Sequence, residues 1–191
     1  MKNTLRALAA ATAMAFMLNA PVEGVDVRVE HDKAFDFKSL RTWGWNPAGP
    51  GELRMARTQL DDPDAMKAKA EPVLVDAVTM EMTKRGLQTA ASQPDATVTY
   101  FLLLSTNMSA QTMGQFLPAT AAWGLPPFAP ATQSLTMMNM GSLVLDMSAK
   151  GVIVWRGVAQ AKLKVDADPK KREALLREAV RDLLKKFPPK Q

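Results

Sequence analysis

Fifty consecutive residues, Ala96 to Leu145, contain no aspartate, glutamate, lysine, arginine or histidine. A stretch of that length with no charge to hold in water must find cover for its apolar side chains, so any sheet it joins is central or shielded. Its ends read as strands. In Ala96 to Ser105 the run Tyr100-Phe101-Leu102-Leu103-Leu104 is apolar on both faces, the pattern of a central strand. Gly141 to Met147 and Val152 to Leu163 read as two more, joined into a hairpin through Ser148-Ala149-Lys150-Gly151. The middle, residues 107–140, belongs to neither: it holds Met108, Met113, Phe116, Trp123, Leu125, Phe128, Met137, Met138 and Met140, broken by four prolines. Loops this long are uncommon in compact domains and are usually functional or disordered. Disorder goes with high charge and few aromatics, and this segment has the opposite composition.

Hydrophobic period places the other elements. Val25, Val27 and Val29 alternate with Asp26, Arg28 and Glu30 up to His31, a half-buried strand. Asp32 to Phe37 reads as a turn closed by aromatics, Thr42 to Trp45 as a second short strand, and Pro47 to Leu60 as a surface connection. Asp62-Pro63 is a helix start, with Met66, Ala70, Val73, Leu74, Ala77 and Met80 as its apolar stripe and Gly86 as its stop. Pro72 lies inside that pattern, so the helix either kinks there or begins there. Asp168-Pro169 repeats the capped start, and Leu175, Leu176, Ala179, Val180, Leu183, Leu184 and Phe187 mark one face before Pro188-Pro189. Strands grouped apart from two amphipathic helices predict an α+β domain over residues 25–189, a largely antiparallel sheet with both helices on one face.

Residues 1–24 have the pattern of a secretory signal peptide: Lys2 and Arg6, an uncharged run from Ala7 to Leu18, then small and polar residues. Twelve residues rise about 18 Å, short of the roughly 30 Å hydrocarbon core, so a membrane-spanning helix is not expected. Cleavage is open between Ala20 and Gly24, and Pro21 disfavours the first. The expected location is secreted or periplasmic.

The chain has no cysteine and one histidine, which excludes thiol catalysis, thiolate metal sites, disulfides, cysteine-linked lipid anchoring and multi-imidazole centres. No nucleophile motif or phosphate loop is present. His31 beside Asp32 and Asp36 is conceivable as an oriented base, although a strand-end histidine is ordinarily structural. Asp26, Glu30, Asp32 and Asp36 lack the spacing of a calcium loop. Trp155 is expected in the core, with small neighbours such as Gly157 making room, and Arg156 is expected to pair with an acid such as Asp146 across the hairpin. Basic residues alternate with acids instead of forming a stripe, so nucleic-acid binding is not expected.

Several short motifs follow one another along the chain: Asp32 to Phe37, Arg41-Thr42-Trp43-Gly44-Trp45, Lys84-Arg85-Gly86-Leu87, Pro94-Asp95-Ala96, Gly141 to Asp146, Val154-Trp155-Arg156-Gly157 and Lys186-Phe187-Pro188-Pro189. Together they resemble the DUF4136 family of bacterial envelope proteins, over nearly the whole of residues 25–189. The resemblance implies an envelope location and no assigned activity. Many relatives carry a cysteine after the signal peptide, and this chain departs from them there.

Three readings stay open for residues 107–140. The segment folds back over the sheet, or it presents an apolar patch to an envelope protein or membrane surface, or its methionines (Met108, Met113, Met137, Met138, Met140) bind Cu(I). The function expected from the residues is a non-enzymatic envelope domain that binds through this insertion, with Trp123, Leu125 and Phe128 as contacts and no cofactor. An envelope hydrolase using carboxylates near Asp32 and Asp36 is the alternative from another class.

Overall fold

The computed structural model describes residues 25–55, 62–105, 140–162 and 168–189. Seven strands and two helices follow in the order β1 (Asp26–His31), β2 (Thr42–Trp45), β3 (Gly51–Met55), α1 (Pro63–Lys84), β4 (Gln88–Thr89), β5 (Ala96–Ser105), β6 (Met140–Ala149), β7 (Val152–Lys162) and α2 (Pro169–Leu184). A 3-10 turn at Phe37–Ser39 follows β1. The strands form one sheet in the order β1-β7-β6-β5-β2-β4, with β3 also beside β5. The class is α+β, as expected.

The long pairings, β1 with β7, β7 with β6 and β6 with β5, are antiparallel. On the far side of β5 the sheet turns parallel, because α1 carries the chain across from β3 before it returns as β5. β3 corrects the expectation of a surface connection from Pro47 to Leu60. β2 and β3 act as one interrupted strand: Trp43–Trp45 run beside Ala96–Val98, and Gly51–Met55 beside Tyr100–Leu104. Residues 46–50 loop out between them, bracketed by Asn46 N–H donating to Val98 O (3.0 Å) and Tyr100 N–H donating to Pro50 O (2.9 Å). A Cβ at Gly51 would lie 2.2 Å from the Tyr100 carbonyl oxygen, so only glycine lets the strand resume there.

α1 begins at Pro63 and runs through Pro72. The Asp62 carboxylate caps it by accepting from the amides of Asp64 and Ala65, both at 3.0 Å. Its buried face is Leu74, Ala77, Val78, Glu81 and Met82, whereas Met80 is 46% exposed, so the helix is rotated from the expected stripe. With apolar residues around most of its surface, α1 has its face chosen by what it packs against. α2 buries the face expected of it, Ala179, Val180, Leu183 and Leu184. The helices pack on each other and against one side of the sheet, over Trp43, Tyr100, Leu145 and Trp155. Gly157 leaves the space the rings need: a Cβ there would lie 2.5 Å from Trp155 and 2.8 Å from Leu183.

Arg85 joins the two helix ends. Its Nε donates to the carbonyls of Leu184 (2.6 Å) and Phe187 (3.1 Å), while Nη1 donates to Glu81 O (2.6 Å) and Glu81 Oε2 (2.7 Å). This arrangement satisfies carbonyls that a helix end otherwise leaves open. It also seats Phe187 edge-on against Phe37 and Trp155, at centroid distances of 5.9 and 5.5 Å.

Candidate functional site

Side chains alternate across a sheet, so the residues between those packed under the helices point to the opposite face. There the register aligns Thr99 of β5, Asp146 of β6, Arg156 of β7 and Glu30 of β1 in one row. Arg156 holds Asp146 through two bonds of 2.6 Å, Nε to Oδ1 and Nη2 to Oδ2, and both side chains are almost inaccessible at 2% and 3% exposure. Such a fork matches a planar guanidinium to both carboxylate oxygens. Burial raises the Asp146 carboxyl above its ordinary range, and Arg156 opposes that rise. Glu30 is likewise raised, by desolvation and against the pull of Arg156, and its Oε2 is buried without a hydrogen-bond partner.

Beside this charged row lies an apolar one, Phe101, Val144 and Val158, all buried. Beyond it Gln160 Nε2 donates to Ser142 Oγ at 3.2 Å. Arg156 and Asp146 are therefore neutralised on each other, and the row can position strands and hold charge; neither group is a free base or nucleophile.

The residues considered for chemistry do not come together. Asp32 Oδ1 accepts from the Ala34 amide (2.8 Å) and Asp36 Oδ1 from the Lys38 amide (3.0 Å), so both carboxylates brace their own turns. The His31 ring packs edge-on against Phe37 at 5.9 Å and borders an open concavity with Val29, Lys185, Lys186, Pro188 and Pro189. Among the described residues no group of three or more histidines or acids could hold a metal ion. Trp123, Leu125, Phe128, Met108, Met113, Met137 and Met138 lie outside the described residues; the backbone of Met140 opens β6.

Two partly buried links escaped sequence reasoning. Tyr100, taken as part of an apolar run, donates its hydroxyl to Glu71 Oε2 of α1 at 2.5 Å, and burial with that carboxylate pushes the phenol up. The partners are 29 residues apart, and nothing local marks them. The second is the Arg85 clamp.

Asp95 shows how the short motifs work. Its Oδ2 accepts from the amides of Arg41 (2.9 Å) and Thr42 (2.8 Å) and from Thr42 Oγ1 (2.9 Å), tying the entry of β5 to that of β2. Those bonds, the Arg41 amide first, hold its carboxyl below the usual aspartate range. A depressed acid contributes stability above its unfolded pKa and loses it as pH falls through the folded one. Asp95→Asn is therefore expected to melt below wild type at neutral pH, with the gap closing in scans taken below about pH 3.8. A constant gap would show that the charge is not what matters.

The motifs that carry the resemblance thus occupy packing positions. Among solved structures, a PDZ domain protein from Parabacteroides distasonis superposes with a TM-score of 0.51 at 13% identity over 88% of this chain. This chain spans 37% of that protein's length. A DUF4136 family protein from Bacteroides thetaiotaomicron gives 0.45 at 17% identity, covering 86% of this chain and 96% of its own. A PelC dodecamer from Paraburkholderia phytofirmans gives 0.37 at 8% identity over 87% of this chain and 99% of its own. No curated protein matches. The family model described as a domain of unknown function, DUF4136, matches residues 27–189, and the chain belongs to that family.

Proposed function

We propose that this protein is a non-enzymatic cell-envelope domain, exported to the periplasm or beyond, that acts by binding a protein partner or a membrane surface through residues 107–140. One observation carries the reading. Ser105 and Met140 are cross-strand partners, so the two residues that flank the uncharged segment sit side by side in the sheet. A segment anchored in that way is not needed to connect distant parts of the fold, and its composition is free to serve a contact. Trp123, Leu125 and Phe128 supply large apolar surface, and Pro126 with Pro127 reduces the ordering cost of docking. No helix among the described residues is long and apolar enough to cross a membrane, in keeping with a peripheral role.

Cell fractionation tests the location, and recovery of the unprocessed chain from the cytosol contradicts it. Binding is tested by co-sedimentation with isolated envelope membranes, before and after extraction of their proteins. Trp123→Ala or Phe128→Ala is expected to weaken association by about 2 kcal/mol, roughly thirtyfold, with little salt dependence. Truncations that lower the melting temperature and leave co-sedimentation unchanged assign the segment to the core.

A further inference from the structure

On the sheet face turned away from the helices, the charged groups of β1, β7 and β6 do not cancel. Asp26, Glu30 and Asp146 stand against Arg28 and Arg156. Arg156 forks onto both oxygens of Asp146 at 2.6 Å, and Arg28 lies 3.5 Å from Asp26. Glu30 is the acid left over, and its Oε2 is buried with no hydrogen-bond donor.

The strand fixes Glu30 in that position. The Asp32 amide, just past β1, donates to Val154 O of β7 at 2.9 Å. By alternation Glu30 and Arg156 then face each other as a pair that exchanges backbone bonds, and Glu30 stands directly across from a guanidinium turned to Asp146. The other charges around β1 are engaged elsewhere. Arg28, two residues back on the same face, is 67% exposed beside Asp26. Asp32, two residues on, turns its carboxylate to the Ala34 amide. His31 packs against Phe37, Lys186 Nζ donates to Val27 O, Lys185 Nζ to Asp182, and on β3 Arg54 pairs with Glu52. The stretch from Ala96 to Leu145 has no cation to bring. A carboxylate oxygen removed from water without a donor loses hydration that nothing replaces, and a proton relieves that cost by removing the charge.

We propose that Glu30 is a proton latch on the edge strand: the folded protein takes up a proton there as the medium turns mildly acidic, and β1 is held on β7 more firmly with that proton than without it. Burial raises the Glu30 carboxyl above the usual glutamate range in spite of the pull of Arg156, which agrees with the geometry. The sign is that of a raised acid. At neutral pH the charged carboxylate opposes folding, and this penalty is relieved as pH falls through the folded value. It is gone below the unfolded value of about 4.3.

Denaturant melts of wild type and Glu30→Gln from pH 8 to pH 4 test this, the amide standing in for the protonated acid. The variant is expected to have the higher midpoint at pH 8, with the gap narrowing on acidification and closed below about pH 4.3, since the other carboxylates titrate alike in both proteins. Two readings on the folded protein accompany the melts. In carbon NMR one glutamate carboxyl should titrate above the usual range and be missing from the Glu30→Gln spectrum. The Arg28 and Glu30 amides, which face β7, should gain protection from hydrogen exchange between pH 7.5 and pH 5.5 in wild type and not in the variant. A gap that is absent, constant or reversed overturns the proposal, as does a spectrum with no such carboxyl, or protection that rises equally in both proteins. Glu30→Gln leaves residues 107–140 unchanged, so the result is separate from the binding role above.

Discussion

Leu183→Asp is expected to leave the domain unfolded at 25 °C. Leu183 is fully buried on α2, against the sheet at Gly157 and among Val180, Leu184 and Trp155 of the main core. Removing it forfeits about 1.5 to 3 kcal/mol of burial. The carboxylate put in its place would sit among the apolar side chains of that core and must either stay desolvated or take a proton, at a further cost of several kcal/mol. The sum is comparable to the roughly 5 to 15 kcal/mol that holds a domain together. Met80→Asp on α1 is the matched control: Met80 is 46% exposed, and its substitution should stay within about 0.5 kcal/mol. Thermal melts by circular dichroism check both. A folded Leu183→Asp protein would mean that α2 is not packed as described.

The second large effect is at the opposite face. Arg156→Met strands Asp146, a carboxylate with 3% exposure, and is expected to cost about 3 to 5 kcal/mol at pH 7. Desolvation already raises the Asp146 pKa, and without Arg156 it rises further, so the folded state binds a proton more readily than the unfolded one. Stability of the variant should therefore increase as pH falls from 7 toward 5, until acid protonates the other carboxylates. The double change Arg156→Met with Asp146→Leu removes both charges of the pair and should recover part of the loss, the remainder falling on Glu30, which loses the pull of Arg156. Denaturant melts at the two pH values check this. Equal destabilisation in the single and double variants would show that shape, not charge, is what the site requires.

The sequence was readable where a period or a turn settles the geometry. Alternation marked β1, the double-sided run marked β5, and Asp-Pro marked the starts of both helices. The Arg156–Asp146 partnership was visible because the turn at Lys150-Gly151 brings β6 and β7 together. Its burial was not, because burial depends on what lies over the face. β3 was hidden: Glu52 and Arg54 do alternate with Leu53 and Met55, but over only five residues directly after the turn signals Gly49 and Pro50, and the segment is a strand because β5 offers it a backbone edge. The face of α1 was hidden for a related reason, since its pattern allows more than one buried stripe and the sheet selects among them. At the candidate sites, the acids near His31 invited a catalytic reading that local turns override, while the Tyr100–Glu71 and Arg85 links join residues too far apart for spacing to reveal.

Limited proteolysis bears most directly on the claim that the uncharged segment is the binding element. A protease that prefers aromatic residues is expected to cut between Phe116 and Phe128, leaving β5 and β6 paired, the domain folded by circular dichroism, and co-sedimentation with envelope membranes lost. Resistance across that stretch, or cleavage that unfolds the domain, contradicts the account and makes the segment part of the core.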